Sequence, residues 1–127
     1  MSSNKMLLTG RIISGLVTAF MLFDGVFKLP KPAVVIDSMK DLGYDPNLAV
    51  TIGSLSLLCA ILYAIPSTCI LGAILLTGYL GGAVATHLRH GDPLFSHILF
   101  PVYVGVLAWT GLYLRDDRLR ALVPVRK

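Results

Sequence analysis

The sequence predicts an all-α protein, a bundle of four transmembrane helices with a short amphipathic interfacial helix between the first and the second. Three observations carry that prediction. Only 14% of the residues are charged and 55% are hydrophobic, against roughly 25% charged in an ordinary soluble chain. The apolar residues are gathered into four runs, about 9–29, 48–65, 68–87 and 95–114, each close to the ~20 residues that a helix needs to cross hydrocarbon. The segment between the first two runs changes to a mixed pattern with helical period. Four crossings leave little chain for anything else, so 1–127 reads as a single integral membrane domain.

The first run does not read as a cleavable signal. Its apolar stretch exceeds the ~7 to 15 residues of a signal core, and no small-residue cleavage site of the Ala-x-Ala type follows it. In "AVVIDSMKDLG", Val35, Met39 and Leu42 recur at helical spacing while Asp37, Lys40 and Asp41 fall elsewhere, and Gly43 supplies a stop. That pattern suits a helix lying on the membrane surface. Asp45-Pro46 and Asp92-Pro93 precede the second and fourth runs, each read as a capping carboxylate followed by proline at the first helical position. Pro66 marks a tight turn between the second and third spans. Gly78 and Gly82 with Thr86 put small residues on successive turns of the third span, an arrangement that admits a neighbouring helix at close range. Trp109, Tyr113 and the arginines beyond Leu114 form an interfacial anchor.

The net charge of +4 does not indicate nucleic acid, because basic blocks interleaved with aromatics are missing. Topology accounts for it. Lys5, Arg11, Arg115, Arg118, Arg120, Arg126 and Lys127 fall on one side and Lys28, Lys31, Lys40 and Arg89 on the other. The richer side stays cytoplasmic, which places both termini inside and the interfacial helix outside. Cys59 and Cys69 sit in apolar surroundings without a Cys-x-x-Cys pair, and both read as reduced, inert core residues.

The residues left over are those that a membrane disfavours. Asp24 lies roughly 7 Å along the axis inside the outer end of the first span, where an ionised aspartate costs about 3 kcal/mol. Lys28, one turn later, is one partner in reach. The other is the polar end of the third span, "AVATHLRHGDP". There Tyr79, Thr86 and His90 fall within roughly 40° of one another at about 100° per residue, flanked by His87 and Arg89. His97 adds an imidazole at the outer end of the fourth span, where Pro101 cannot donate to its carbonyl. Asp24, Lys28, Tyr79, Thr86, His87, Arg89, His90 and His97 are therefore the candidate pocket in the outward half. No HExxH or tight His/Cys spacing indicates a metal, no nucleophile elbow is present, and the pattern names no cofactor.

The stretches "ILLTGYLGGAVATHLRHGDP", "WTGLYLRDDRLRALVP", "LYAIPST" and Lys28-Leu29 together resemble the DoxX-like family of small membrane proteins. The resemblance implies a four-helix bundle related to the membrane subunit of thiosulfate:quinone oxidoreductase, without implying that activity. It also marks departures: Ser56 stands where an acidic residue is frequent in that pattern, and Ser67 where an Arg is. Together with the polar pocket it leads to the expectation of a small lipophilic, quinone-like ligand and a supporting role in a membrane redox process. The expected setting is the inner membrane of a bacterium, with the lipid bilayer, a redox protein or a second copy as partners. Two other readings stand beside it. One is a membrane enzyme with Asp24 as base and His87 or His90 as acid; the other is an assembly partner whose polar cluster locks the helices.

Overall fold

The computed structural model describes residues 4–126, so Lys127, counted above among the inner charges, lies outside the described residues. In chain order the elements are α1 (Asn4–Lys28), α2 (Ala33–Asp41), α3 (Leu48–Ala64), α4 (Cys69–His90), a π-helical segment (Leu94–Ile98), α5 (Phe100–Arg115) and α6 (Asp117–Leu122). No strand occurs among the described residues. Asn4–Lys28, Cys69–His90 and the stretch Leu94–Arg115 are long and apolar enough to cross a membrane; α3 is apolar and shorter.

The four long elements form a bundle in which α1 packs on α3 and α5, and α4 packs on the same two helices. Hence α1 and α4 face each other across the diagonal. Close packing comes from glycines at three crossings, paired at two of them. A side chain at Gly25 would lie 2.8 Å from the carbonyl oxygen of Gly53, and one at Gly10 would lie 2.7 Å from that of Gly111. Gly72 meets the backbone of Leu62 and Tyr63 closer still. The core between the helices holds Met21, Tyr63, Leu76 and Leu112, all fully buried. Outside it, Leu8, Leu16, Phe23, Ile74 and Phe95 are among many large apolar side chains that stay exposed. A soluble monomer does not leave so large an apolar surface uncovered.

Gly78 and Gly82 depart from the packing role expected of them. A side-chain carbon at either position, or at Gly81, would meet nothing within 4 Å. Their face of α4 is open space.

α2 forms where the sequence placed a helix. Val35 and Met39 are buried against Ala49, Tyr44 and Ile52. The chain then reverses at Gly43, whose φ of +85° is the left-handed conformation that favours glycine. The two Asp-Pro corners differ. At the first, Asp45 Oδ1 accepts the Asn47 N–H at 2.9 Å in the turn before α3, so the carboxylate serves the backbone one turn earlier than expected; the residue that caps α3 is Asn47, without a side-chain cap bond. At the second, the Asp92 carboxylate is taken by histidines of α4, and the chain enters a π turn in which Ile98 and Leu99 donate to Pro93 and Leu94 at 3.2 and 2.9 Å. Proline supplies the cause: without an N–H, Pro101 cannot continue an α ladder to His97, so the ladder restarts with Pro101 in the first turn of α5.

Candidate functional site

The end of the bundle that carries α2 contains a groove of about 400 Å³ between α2, α3 and α4. Its walls are apolar, with Met39 and Leu42 above and Leu48, Ile52 and Leu55 along α3; Gly78, Gly82 and Ala83 form its α4 side. Polar groups enter at few points: Lys28, Tyr44, Tyr79, Thr86 and His87. Small-molecule sites generally combine apolar lining with a few placed polar groups.

Helix geometry fixes each of them. Lys28 Nζ donates to Asp24 Oδ2 at 2.7 Å, an i,i+4 pair on the last turns of α1. The ammonium also interacts with the Tyr79 hydroxyl, which in turn faces Ser56. Ser56 is fully buried and donates to the Met21 carbonyl at 3.0 Å. A hydroxyl therefore occupies the position where the resemblance puts an acid, and it sits beside the Lys28–Tyr79 contact.

Thr86 donates to the Gly82 carbonyl at 2.9 Å within α4. Its single proton is thereby used, so in the 2.6 Å contact with Tyr44 the tyrosine is the donor. Arg89 reaches the same corner and donates to the Leu42 carbonyl at 3.2 Å. Both bonds hold the turn after α2 against α4.

His87 and His90 turn away from Asp24. Each places Nδ1 on the Asp92 carboxylate, at 2.5 and 2.6 Å. The left-handed Gly91 makes this possible by folding the chain back, with the Asp92 N–H on the His87 carbonyl at 3.1 Å. These two imidazoles, His87 before His90, hold the Asp92 carboxyl below its ordinary range. His97 stacks edge-on to His87 with ring centroids 5.9 Å apart and shares a 2.7 Å hydrogen bond with Ser96.

Of the eight residues picked from the sequence, the groove is thus lined by Lys28, Tyr79, Thr86 and His87. Asp24 and Arg89 act at its border by holding Lys28 and Leu42, and His90 and His97 belong to the Asp92 corner. The direct meeting of Asp24 with the end of α4 does not occur: no hydrogen bond among the described residues joins them. The diagonal arrangement is the reason. Only the long Lys28 side chain carries the polarity of α1 across to Tyr79.

Sequence reasoning expected the amphipathic segment from Ala33 to Leu42, and so Met39, to cover this region and singled out Ser56 only as a departure from the family pattern; it missed Tyr44 and read Asp92 solely as a cap. It also missed a polar cluster at the opposite end of the bundle. There Tyr63, fully buried, donates to the Ala108 carbonyl at 2.5 Å and lies 3.0 Å from Ser14 Oγ, while Arg115 Nε donates to Ser14 Oγ at 3.0 Å. Among the described residues no group of His, Cys, Asp or Glu is placed to hold a metal ion. Cys59 and Cys69 are buried thiols in one apolar cluster.

Long apolar helices, an uncovered apolar surface and polar groups gathered inside at the ends define a helical membrane protein. The chain belongs to the DoxX-like family, whose sequence pattern matches residues 12–111. No curated protein and no solved structure matches it.

Proposed function

We propose that the protein is a four-span membrane bundle that binds a small lipophilic, quinone-like molecule in the groove between α2, α3 and α4, in support of a membrane redox process. One observation carries this reading: the open face at Gly78 and Gly82, where a side-chain carbon meets nothing within 4 Å, lies opposite apolar walls and beside Lys28, Tyr79 and His87. Flat apolar rings fit against glycine, and a carbonyl oxygen at their edge needs donors such as an ammonium or a phenol. In this reading α3, ~25 Å long at 1.5 Å per residue, is the fourth crossing, and α2 lies at the outer surface as a roof. Both termini are cytoplasmic, in a bacterial inner membrane. The alternative with Asp24 and a histidine as an acid/base pair has less support, since the two are bonded to different partners.

Mass spectrometry of small molecules extracted from the purified protein tests the reading, with Gly82→Leu as comparison. A β-carbon at Gly82 meets no neighbour within 4 Å and the rest of a leucine side chain extends into the groove, so the variant should fold as well and retain about tenfold less of the extracted ligand, the loss expected of a blocked hydrophobic contact. Equal retention by both proteins, or no ligand in either, overturns it. Orientation has its own test: Asp37→Cys should label from outside and Arg126→Cys from inside with an impermeant thiol reagent.

A further inference from the structure

We propose a second site at the opposite end of the bundle, where Arg11 and Arg115 bind the phosphate of an anionic membrane lipid whose acyl chain lies along α1. The two arginines share one groove of about 380 Å³, formed where α1, the end of α3 and the end of α5 meet. Among the described residues no carboxylate lines it. Two guanidiniums in one groove without a counter-charge repel each other, and an anion between them removes that cost.

The nearby acids are engaged elsewhere. Asp117 pairs with Arg120, and Asp116 accepts the Arg118 and Leu119 N–H groups as the cap of α6. Arg11 has no side-chain partner among the described residues. Arg115 is already oriented: Nε is held by Ser14, and the guanidinium lies over the Tyr63 ring, 5.6 Å from its centroid. The ring itself is fixed by its bonds to Ala108 and Ser14. A planar guanidinium held in this way matches the oxygens of a phosphate in forked geometry.

The groove's other half identifies the rest of the ligand. Beyond the arginines it is lined by Gly15, Ala19 and Leu22 of α1, with the Thr18 hydroxyl bonded back to the Ser14 carbonyl at 2.8 Å. Gly15 leaves open space, since a side-chain carbon there would touch nothing within 4 Å. A phosphate alone needs no apolar slot. A charged head with a hydrocarbon chain at the end of a membrane helix uses both halves, and basic pockets between membrane helices favour anionic lipid heads.

The test is thermal unfolding of the detergent-purified protein with added phosphatidylglycerol, phosphatidylcholine or inorganic phosphate. Phosphatidylglycerol should raise the unfolding temperature, and the other two should not. Arg11→Gln, at an exposed position, and Gly15→Leu, in open space, should fold normally and weaken the lipid response about tenfold, the loss of one charge-assisted contact. Arg118→Gln removes the same charge away from the groove and should leave the response intact. Equal stabilisation by inorganic phosphate assigns the site to the free anion and overturns the lipid. Equal loss in Arg11→Gln and Arg118→Gln shows general attraction to a basic surface and overturns the site.

Discussion

Tyr44 donates its hydroxyl to Thr86 across 2.6 Å, joining residues 42 positions apart in the chain and tying the turn after α2 to the middle of the polar end of α4. This bond, with Arg89 on the Leu42 carbonyl, decides whether α2 stays over the groove. Tyr44→Phe keeps the ring among its apolar neighbours and removes the donor. It should cost about 1 kcal/mol and raise amide hydrogen exchange across 33–42 while exchange in α1 and α3 stays unchanged. Unaltered exchange in α2 would mean that apolar contacts of Val35 and Met39 suffice to hold it.

Asp24 and Lys28 form a pair that is neither fully buried nor free, with side-chain exposures of 32% and 22%. A double-mutant cycle with Asp24→Ala and Lys28→Met should show a coupling of about 1 kcal/mol in detergent. The same cycle with His87, Arg89 or His90 in place of Lys28 should show none, because those side chains are bonded to Asp92 and Leu42.

These two relations mark where sequence reading succeeds and where it stops. The apolar runs located the helices, and the period of Val35 and Met39 located α2 with its buried face, because periodicity records which side of a helix is covered. Neighbour order across a bundle leaves no such record. Spacing put Asp24 and the end of α4 near the same depth, yet α1 and α4 stand on a diagonal, so only Lys28 bridges the gap. An aspartate followed by proline has the pattern of a cap in both corners; Asp45 keeps its carboxylate for a backbone N–H, whereas His87 and His90 take that of Asp92. Tyr44 could not be singled out, since its partner is supplied by the turn at Gly43.

Asp92 gives the α4–α5 corner a defined response to acid. The hydrogen bonds from His87 and then His90 lower its pKa from the ordinary 3.8. A carboxyl depressed on folding contributes stability that is fully present above the unfolded value and is lost as pH falls through the folded one. Hydrogen exchange around Gly91 should therefore stay slow as pH falls to the ordinary carboxylate range and accelerate below it. Asp92→Asn should make the corner exchange faster at neutral pH and flatten that acid dependence. An acid profile identical in Asp92→Asn and the parent protein would show that the carboxylate does not hold the corner.

Glycine positions in α4 should divide into two classes under substitution. Gly72 lies against the backbone of Leu62 and Tyr63, and a methyl group there meets atoms that cannot swing aside. The helices must separate, which undoes the packing of buried Tyr63 and Ala73 at the same crossing. Gly72→Ala should cost about 3 kcal/mol, the upper range for overpacking, or prevent folding. Gly78→Ala and Gly81→Ala place the methyl in open space, and alanine is the better helix former by about 1 kcal/mol. Each should leave the unfolding temperature unchanged or raise it. If Gly78→Ala proved as damaging as Gly72→Ala in the same detergent, the open face of α4 would be filled by another helix in the membrane and the groove would not exist.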